Sequence, residues 1–294
     1  MPVISVVMPV YNAGKYLEGA ICSILSQTFF DFEFIISYDE SSDDSLKIIN
    51  KYQKIDDRII LLEGNNQGLV KSLNEAIKLS KGKYVARMDA DDIATFDRFE
   101  KQIKLLENSD LDICGGHYLS IDCNGKIIDT NLVPITHDMC SLSLSFKVPF
   151  AHPSVMIRKR FLIDNDLKYG QSKYKIAEDL DLWVRMHGHG AIFGNVDDIV
   201  LKYRILEDSL SRVNKKALAK DTKDIFGFFY KKNYLKSVNL INKLPILLNS
   251  EESSLIVRFL YVSLIKNMNI LNLRHLKRVK SKIIIYSVLS EMVR

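Results

Sequence analysis

The sequence predicts an α/β protein built on a mostly parallel sheet with helices on both faces. Two observations predict it. Apolar runs of strand length alternate with segments of helical periodicity through the first hundred residues. Three of those strand-like runs end in polar or acidic residues, as strands that feed one shared crevice require.

The elements follow in order. A strand at 3–10 ends in Tyr11-Asn12 and leads to a helix at about 14–27, with Leu17, Ala20, Ile21, Ile24 and Leu25 on one face. A strand at 32–37 ends in Tyr38-Asp39-Glu40-Ser41-Ser42-Asp43, and a helix from Ser45 follows. A short strand at 58–62, a polar loop at 64–68 and a helix carrying Leu69, Leu73, Ala76, Ile77 and Leu79 come next. Lys81-Gly82 stops that helix before a strand at 83–88. The pattern then loosens. A helix at 96–107 precedes strands at 111–121 and 126–132, joined by Cys123-Asn124-Gly125, and Asn-Gly is a strong hairpin signal. Further strands are expected at 151–158 and 191–204, with a helix at 179–187 between them, and the last eighty residues read as helical. The expected divisions are 1–105, 106–210 and a basic helical extension over 211–294.

The chemistry concentrates at Asp89-Ala90-Asp91-Asp92, where the strand at 83–88 should stop. Strand side chains alternate, so positions 89 and 91 point one way. Two hard carboxylates facing one way suit a hard divalent cation that keeps some waters and bridges a diphosphate. An acidic turn or helix cap would carry the same residues, and the neighbouring polar strand ends favour the cation.

The composition is that of an ordinary globular chain: 294 residues, 47% hydrophobic, 26% charged. Four cysteines without C-x-x-C spacing read as reduced thiols and fit a cytoplasmic chain. No signal peptide is visible, and the longest uncharged run, residues 1–14, falls short of the ~20 apolar residues a membrane span takes. The net charge of +5 hides an asymmetry. From Arg212 to Arg294 there are 17 basic and 5 acidic residues, leaving 24 basic and 31 acidic before them. Near the end, Leu273, Leu276, Val279, Ile283 and Tyr286 share one helical side, opposite Arg274, Lys277, Arg278 and Lys282. Such a helix either lies in an anionic membrane interface or packs on the body with its basic face outward; the charge asymmetry favours the membrane and a peripheral location. A nucleic-acid partner is not expected, since the tail holds no recognition module.

Several segments together resemble the family 2 glycosyltransferases, inverting enzymes of the GT-A fold, over about residues 3–206. Val6-Val7-Met8-Pro9-Val10-Tyr11-Asn12 is similar to the family's opening strand, and Ser23-Ile24-Leu25-Ser26-Gln27-Thr28 to the end of its first helix. The run from Gly82 to Asp92, extending to Arg98 and Gln102, is similar to its metal strand. Ala177-Glu178-Asp179-Leu180-Asp181-Leu182-Trp183-Val184-Arg185 is similar to its catalytic acidic motif. His152-Pro153-Ser154 and Tyr203-Arg204 are similar to the branch that builds bacterial surface polysaccharides.

The resemblance implies a UDP-sugar donor, Mn²⁺ or Mg²⁺, and a saccharide acceptor, expected to be lipid-linked. It implies metal binding at Asp91, with Asp89 beside the ribose or behind the metal. Donor contacts are expected from Pro9, Val10, Tyr11, Asn12, Asp39, Lys71 and Arg87. It implies the catalytic base in Glu178-Asp179, read here as Asp179, with Glu178 raising its pKa. A helix start at Asp179 is compatible with that role. His152 is either a site residue or a satisfied structural histidine. Trp183 is either core beneath the helix or a sugar-stacking ring, and Arg185 stands in the same motif. One departure is Tyr38, which stands where the family commonly has a first acid before Asp39. A sugar nucleotidyltransferase is the nearest enzymatic rival, but Asn12-Ala13-Gly14-Lys15 offers a single glycine where a phosphate loop needs several. A non-catalytic nucleotide- or saccharide-binding scaffold would tolerate Tyr38 but has no use for Asp91 and Asp179.

Overall fold

The computed structural model describes residues 1–174, 176–207, 209–243 and 250–266. Four parallel strands form its first half: β1 (Ile4–Val10), β2 (Phe32–Tyr38), β3 (Ile59–Glu63) and β4 (Tyr84–Arg87). They are linked by α1 (Gly14–Leu25), α2 (Ser45–Gln53) and α3 (Gly68–Leu79). A two-residue strand, β5 (Ile93–Ala94), and α4 (Arg98–Glu107) follow. The second half adds β6 (Ile113–Ile121), β7 (Ile127–Asn131), α5 (His137–Ser143), a 3₁₀ turn at His152–Ser154, β8 (Met156–Arg158), α6 (Lys159–Asp164), α7 (Glu178–Gly188) and β9 (Phe193–Arg204). Three helices close the described chain: α8 (Leu210–Val213), α9 (Lys215–Lys243) and α10 (Ser250–Lys266).

The strands form one sheet in the order β3-β2-β1-β4-β8-β6-β9-β5, with β7 on β6. The β8 strand runs antiparallel to both β4 and β6, while β6 and β9 are parallel, so the sheet is mixed. Parallel pairing puts the carboxyl ends of β1, β2 and β4 on one edge, where the crevice forms.

The strand pleat sorts the core. Ile4, Val6, Met8 and Val10 face one layer with α1, while Val7, Ile35 and Val85 face the other with Leu73 of α3 and Trp183 of α7. Burial on both faces explains why these strands read as continuous apolar runs. Gly82 is required in the turn that enters β4. A Cβ there would stand 2.5 Å from the backbone nitrogen of Ser5.

Two expectations need correction, and one is refined. Residues 151–158 are not one strand, because Pro153 has no N–H to donate to a ladder; a 3₁₀ turn precedes a three-residue strand. The expected hairpin forms, β6 pairing antiparallel with β7; Asp122 accepts from the N–H groups of Asn124 and Lys126 in its loop, with Gly125 at φ +86°. Strand β4 stops at Arg87, so Asp89 and Asp91 converge through the β4–β5 turn rather than the pleat.

The start of the C-terminal extension packs on the body. Tyr230, Val238 and Ile241 of α9 meet Leu255, Ile256 and Phe259 of α10 and Met139 and Leu142 of α5 in a third core cluster. No described helix is long and apolar enough to cross a membrane. The amphipathic segment at 273–286 lies outside the described residues.

Candidate active site

The main chain of Arg87 is fixed from two sides. Its N–H donates to the carbonyl of Val155 at 2.9 Å, and its own carbonyl accepts from buried Arg98 at 2.8 Å. Arg98 also bonds Gln102, which reaches the carbonyl of Ser154 at 2.8 Å. With the main chain held, the buried Arg87 guanidinium turns to Asp89 and pairs with it at 2.5 Å. Burial works against that positive charge; Asp89 outweighs it and raises the Arg87 pKa above its ordinary value. Two further nitrogens of this guanidinium, Nε and Nη1, are buried without a partner.

Asp89, Asp91 and Asp92 each bring a carboxylate oxygen within 4.8 Å of the others. Burial, reinforced by Asp89, pushes the Asp91 pKa up to about 6. Asp92 is pushed well above the carboxylate range by burial and by both other acids. Its Oδ1 accepts from the N–H of Arg204 at 2.7 Å, and its Oδ2 is buried without a partner. A clustered, oxygen-only donor set with a buried orphan oxygen fits a hard divalent cation.

Arg204 holds the acidic turn, a contact that sequence reasoning passed over although the residue stood in a quoted motif. Its guanidinium donates to the carbonyls of Asp91 at 2.8 Å and Asp122 at 2.9 Å, and lies 4.4 Å from the Tyr16 ring centre. It thus ties the acidic turn to the β6–β7 loop and to α1. Its charge partly counters the rise at Asp91.

Glu178 and Asp179 begin α7, one residue earlier than expected, with Ala177 at the cap. Asp181 joins them in the first turn, where the helix dipole favours negative charge. Asp179 accepts from the N–H of Leu180 at 2.7 Å. Burial, then the neighbouring Asp179, pushes Glu178 up to about 7. Burial also raises Asp179, while the Leu180 N–H and Arg87 pull it down. Arg87 and Asp89 act electrostatically on both acids, so the two acidic groups share one neighbourhood.

The other expected residues divide. Val10 is buried, and its carbonyl accepts from the N–H of Asp39. Pro9 is partly buried and pairs in register with Ser37. Tyr11 is 62% exposed at the crevice edge, and Asn12 has φ +47° with its side chain accepting from Ser42. The Asp39 carboxylate accepts from the backbone N–H groups of Gln67 and Gly68, closing the loop before α3. Lys71 is exposed on the first turn of α3. Tyr38 bonds Ser41 through its hydroxyl and holds its own loop. His152 bonds the Tyr169 hydroxyl at 2.9 Å; burial and Arg87 hold its pKa well below the ordinary value, so it is neutral. Trp183 is fully buried against Phe150, His152 and Tyr169 and offers no ring face to a ligand. Arg185 pairs with Asp181 and bonds Gln171 and the carbonyl of Lys168, anchoring the loop that carries Tyr169. Tyr169, which sequence reading missed, has no motif to announce it.

Residues 5–167 match the family model described as Glycosyl transferase family 2. An uncharacterised glycosyltransferase of Methanocaldococcus jannaschii is 37% identical over 225 residues, covering 74% of this chain and 76% of its own. The O-antigen biosynthesis glycosyltransferase WbnJ of Escherichia coli is 33% identical, covering 74% and 85%. Among solved structures, S. aureus TarS 1–349 in complex with UDP superposes with a TM-score of 0.56 at 21% identity, over 88% of this chain and 71% of that one. The mannosyltransferase PcManGT of Pyrobaculum calidifontis, in complex with GDP-Man and Mn²⁺, gives 0.56 at 13% identity over 98% and 87%. These two likenesses are of fold, and the fold is GT-A.

Proposed function

The chain belongs to family 2 of the glycosyltransferases, and from that premise we propose an inverting enzyme that moves a sugar from a UDP-sugar to a saccharide acceptor. One observation carries this reading. Arg87, ion-paired with Asp89 at 2.5 Å, also draws down the pKa of Glu178 and of Asp179, so one guanidinium acts on both the acidic turn and the acidic start of α7. A donor diphosphate at the first and an acceptor hydroxyl at the second would therefore adjoin.

Asp91 would hold a Mn²⁺ or Mg²⁺ ion, with Asp89 kept in orientation by Arg87. When bound, the cation supplies positive charge to the leaving diphosphate. Asp179 would accept the proton of the acceptor hydroxyl as its oxygen bonds the anomeric carbon. The bond from that carbon to the diphosphate breaks on the opposite side, and UDP leaves. Asp179 is suited to the role because its contact with Leu180 fixes it at a rigid helix start. Trp183 and the His152–Tyr169 pair would serve as packing beneath it.

The relative named for O-antigen biosynthesis, and a second named for amylovoran biosynthesis in Erwinia amylovora at 30% identity, support an acceptor belonging to a surface polysaccharide. A lipid-linked acceptor would be met at the inner face of the membrane, where the basic segment from Arg212 onward would hold the enzyme as a peripheral, cytoplasmic protein. Calorimetric titration of UDP-sugars with Mn²⁺ tests the donor. One UDP-sugar should bind only with metal and raise the melting temperature. Preference for a different nucleoside diphosphate sugar would overturn the UDP assignment.

A further inference from the structure

We infer that the outer face of α9, around Phe228 and Leu235, is a docking surface for an anionic bilayer. The inference rests on the peripheral-membrane reading and locates it on residues remote in sequence from the basic segment at 273–286.

One side of α9 is fully committed. Ile225, Phe229, Tyr230, Asn233, Ser237, Val238 and Ile241 are buried against the body and α10. A helix bound on one side is usually polar on the other. Here Phe228 and Leu235 stand outward at 58% and 60% exposure. They are seven residues apart, so at 100° per residue they fall on one ridge within about 20°. Lys231, Lys232 and Lys236 are exposed around that ridge, and the Lys232 ammonium lies 5.9 Å from the Phe228 ring centre.

The charge decides the partner. Helix α9 carries eight lysines and two aspartates, whereas the chain before Arg212 is net acidic. An aromatic and a leucine framed by lysines match a headgroup region, where apolar side chains enter the acyl boundary and ammonium groups meet lipid phosphates. A protein partner would need a wider apolar patch than two side chains provide.

The test is co-sedimentation of the full chain with phosphatidylglycerol-containing vesicles across a salt series. Lys231→Gln, Lys232→Gln and Lys236→Gln together should weaken low-salt binding about a hundredfold, at roughly fivefold per lysine. Phe228→Ser with Leu235→Ser should remove the part of the binding that survives high salt. Both variants should keep the parent melting temperature and nucleotide binding, since none of these side chains is buried or lies in the site. Unchanged binding in both variants, with loss on neutralising Arg274, Lys277, Arg278 and Lys282, would overturn the α9 surface and leave peripheral attachment standing. If the parent protein ignores anionic vesicles at low salt, the attachment itself fails. Equal binding to uncharged phosphatidylcholine would refute the role given to the lysines.

Discussion

Asp89, Asp91 and Asp92 are met by two arginines, whereas Glu178 and Asp179 contact no cation among the described residues. Both groups are acidic and partly or fully buried, yet their surroundings treat them differently. In the first group, Arg87 takes one carboxylate and Arg204 binds the turn's backbone, so three acids stand against two guanidiniums. Asp91 is raised to about 6 and Asp92 well above its ordinary value, so a divalent cation bound here would displace protons from these acids. In the second, burial and then the neighbouring Asp179 push Glu178 up to about 7. A carboxyl that changes protonation near neutral pH can take up and release a proton during turnover. The difference separates a group braced by guanidiniums around a cation site from one with no such brace, suited to moving a proton.

The strongest test of that separation is Asp91→Asn. It should abolish metal-dependent binding of a UDP-sugar while the fold persists, read by calorimetry with and without Mn²⁺. Full metal-dependent turnover by this variant would refute the assignment. Asp179→Asn comes next. Donor affinity should survive while transfer falls by about 10²–10⁴-fold, the usual worth of a general base. A mild Asp179→Asn with a severe Glu178→Gln would move the base to Glu178. Arg204→Met should act more weakly. It removes the bonds to Asp91 and Asp122 but leaves the Arg204 N–H on Asp92. The metal should bind about tenfold more weakly, the equivalent of ~1.4 kcal/mol, with nucleotide affinity in the absence of metal unchanged. A Mn²⁺ titration followed by melting temperature measures it, and an unaltered metal affinity would reduce Arg204 to a structural strap.

The first half of the fold was legible because its strands are buried on both faces and its helices keep one apolar stripe. Each element from β1 to β4 stands within a residue or two of its expected place. The second half was harder to read. Helices α5 and α6 span seven and six residues, too short to display a helical period, and β8 has only three residues to pair. The acidic residues themselves were visible as sequence clusters. Their partners were less so. Arg204 reaches Asp91 across more than a hundred residues, and Tyr169 joins His152 from an irregular loop, contacts that no local pattern encodes. Trp183 and Arg185 share a motif with the acids, yet one fills the core and the other braces a loop. Neighbours in sequence on α7 point to different sides, so a motif marks the helix and not the role of each residue.

The smallest expected effect is also the most direct test of the proton-moving group. The Glu178 carboxyl holds its proton up to about 7 in the folded chain, against an ordinary value of 4.5. Between those two values the folded state binds more protons at this position than the unfolded chain does. Stability from this group is therefore greatest below about 4.5 and is lost as the pH rises toward 7. Activity runs the other way. Asp179 must be ionised to accept the acceptor's proton, and burial raises its pKa, so transfer should slow as the pH falls. Glu178→Gln mimics the protonated acid and removes the titration. Melting temperature against pH should accordingly be flatter for this variant between 4.5 and 7, and the parent chain should gain stability relative to it on acidification. Parallel melting curves for the two proteins would mean that Glu178 titrates as an ordinary surface carboxylate, and the contrast between the two acidic groups would collapse.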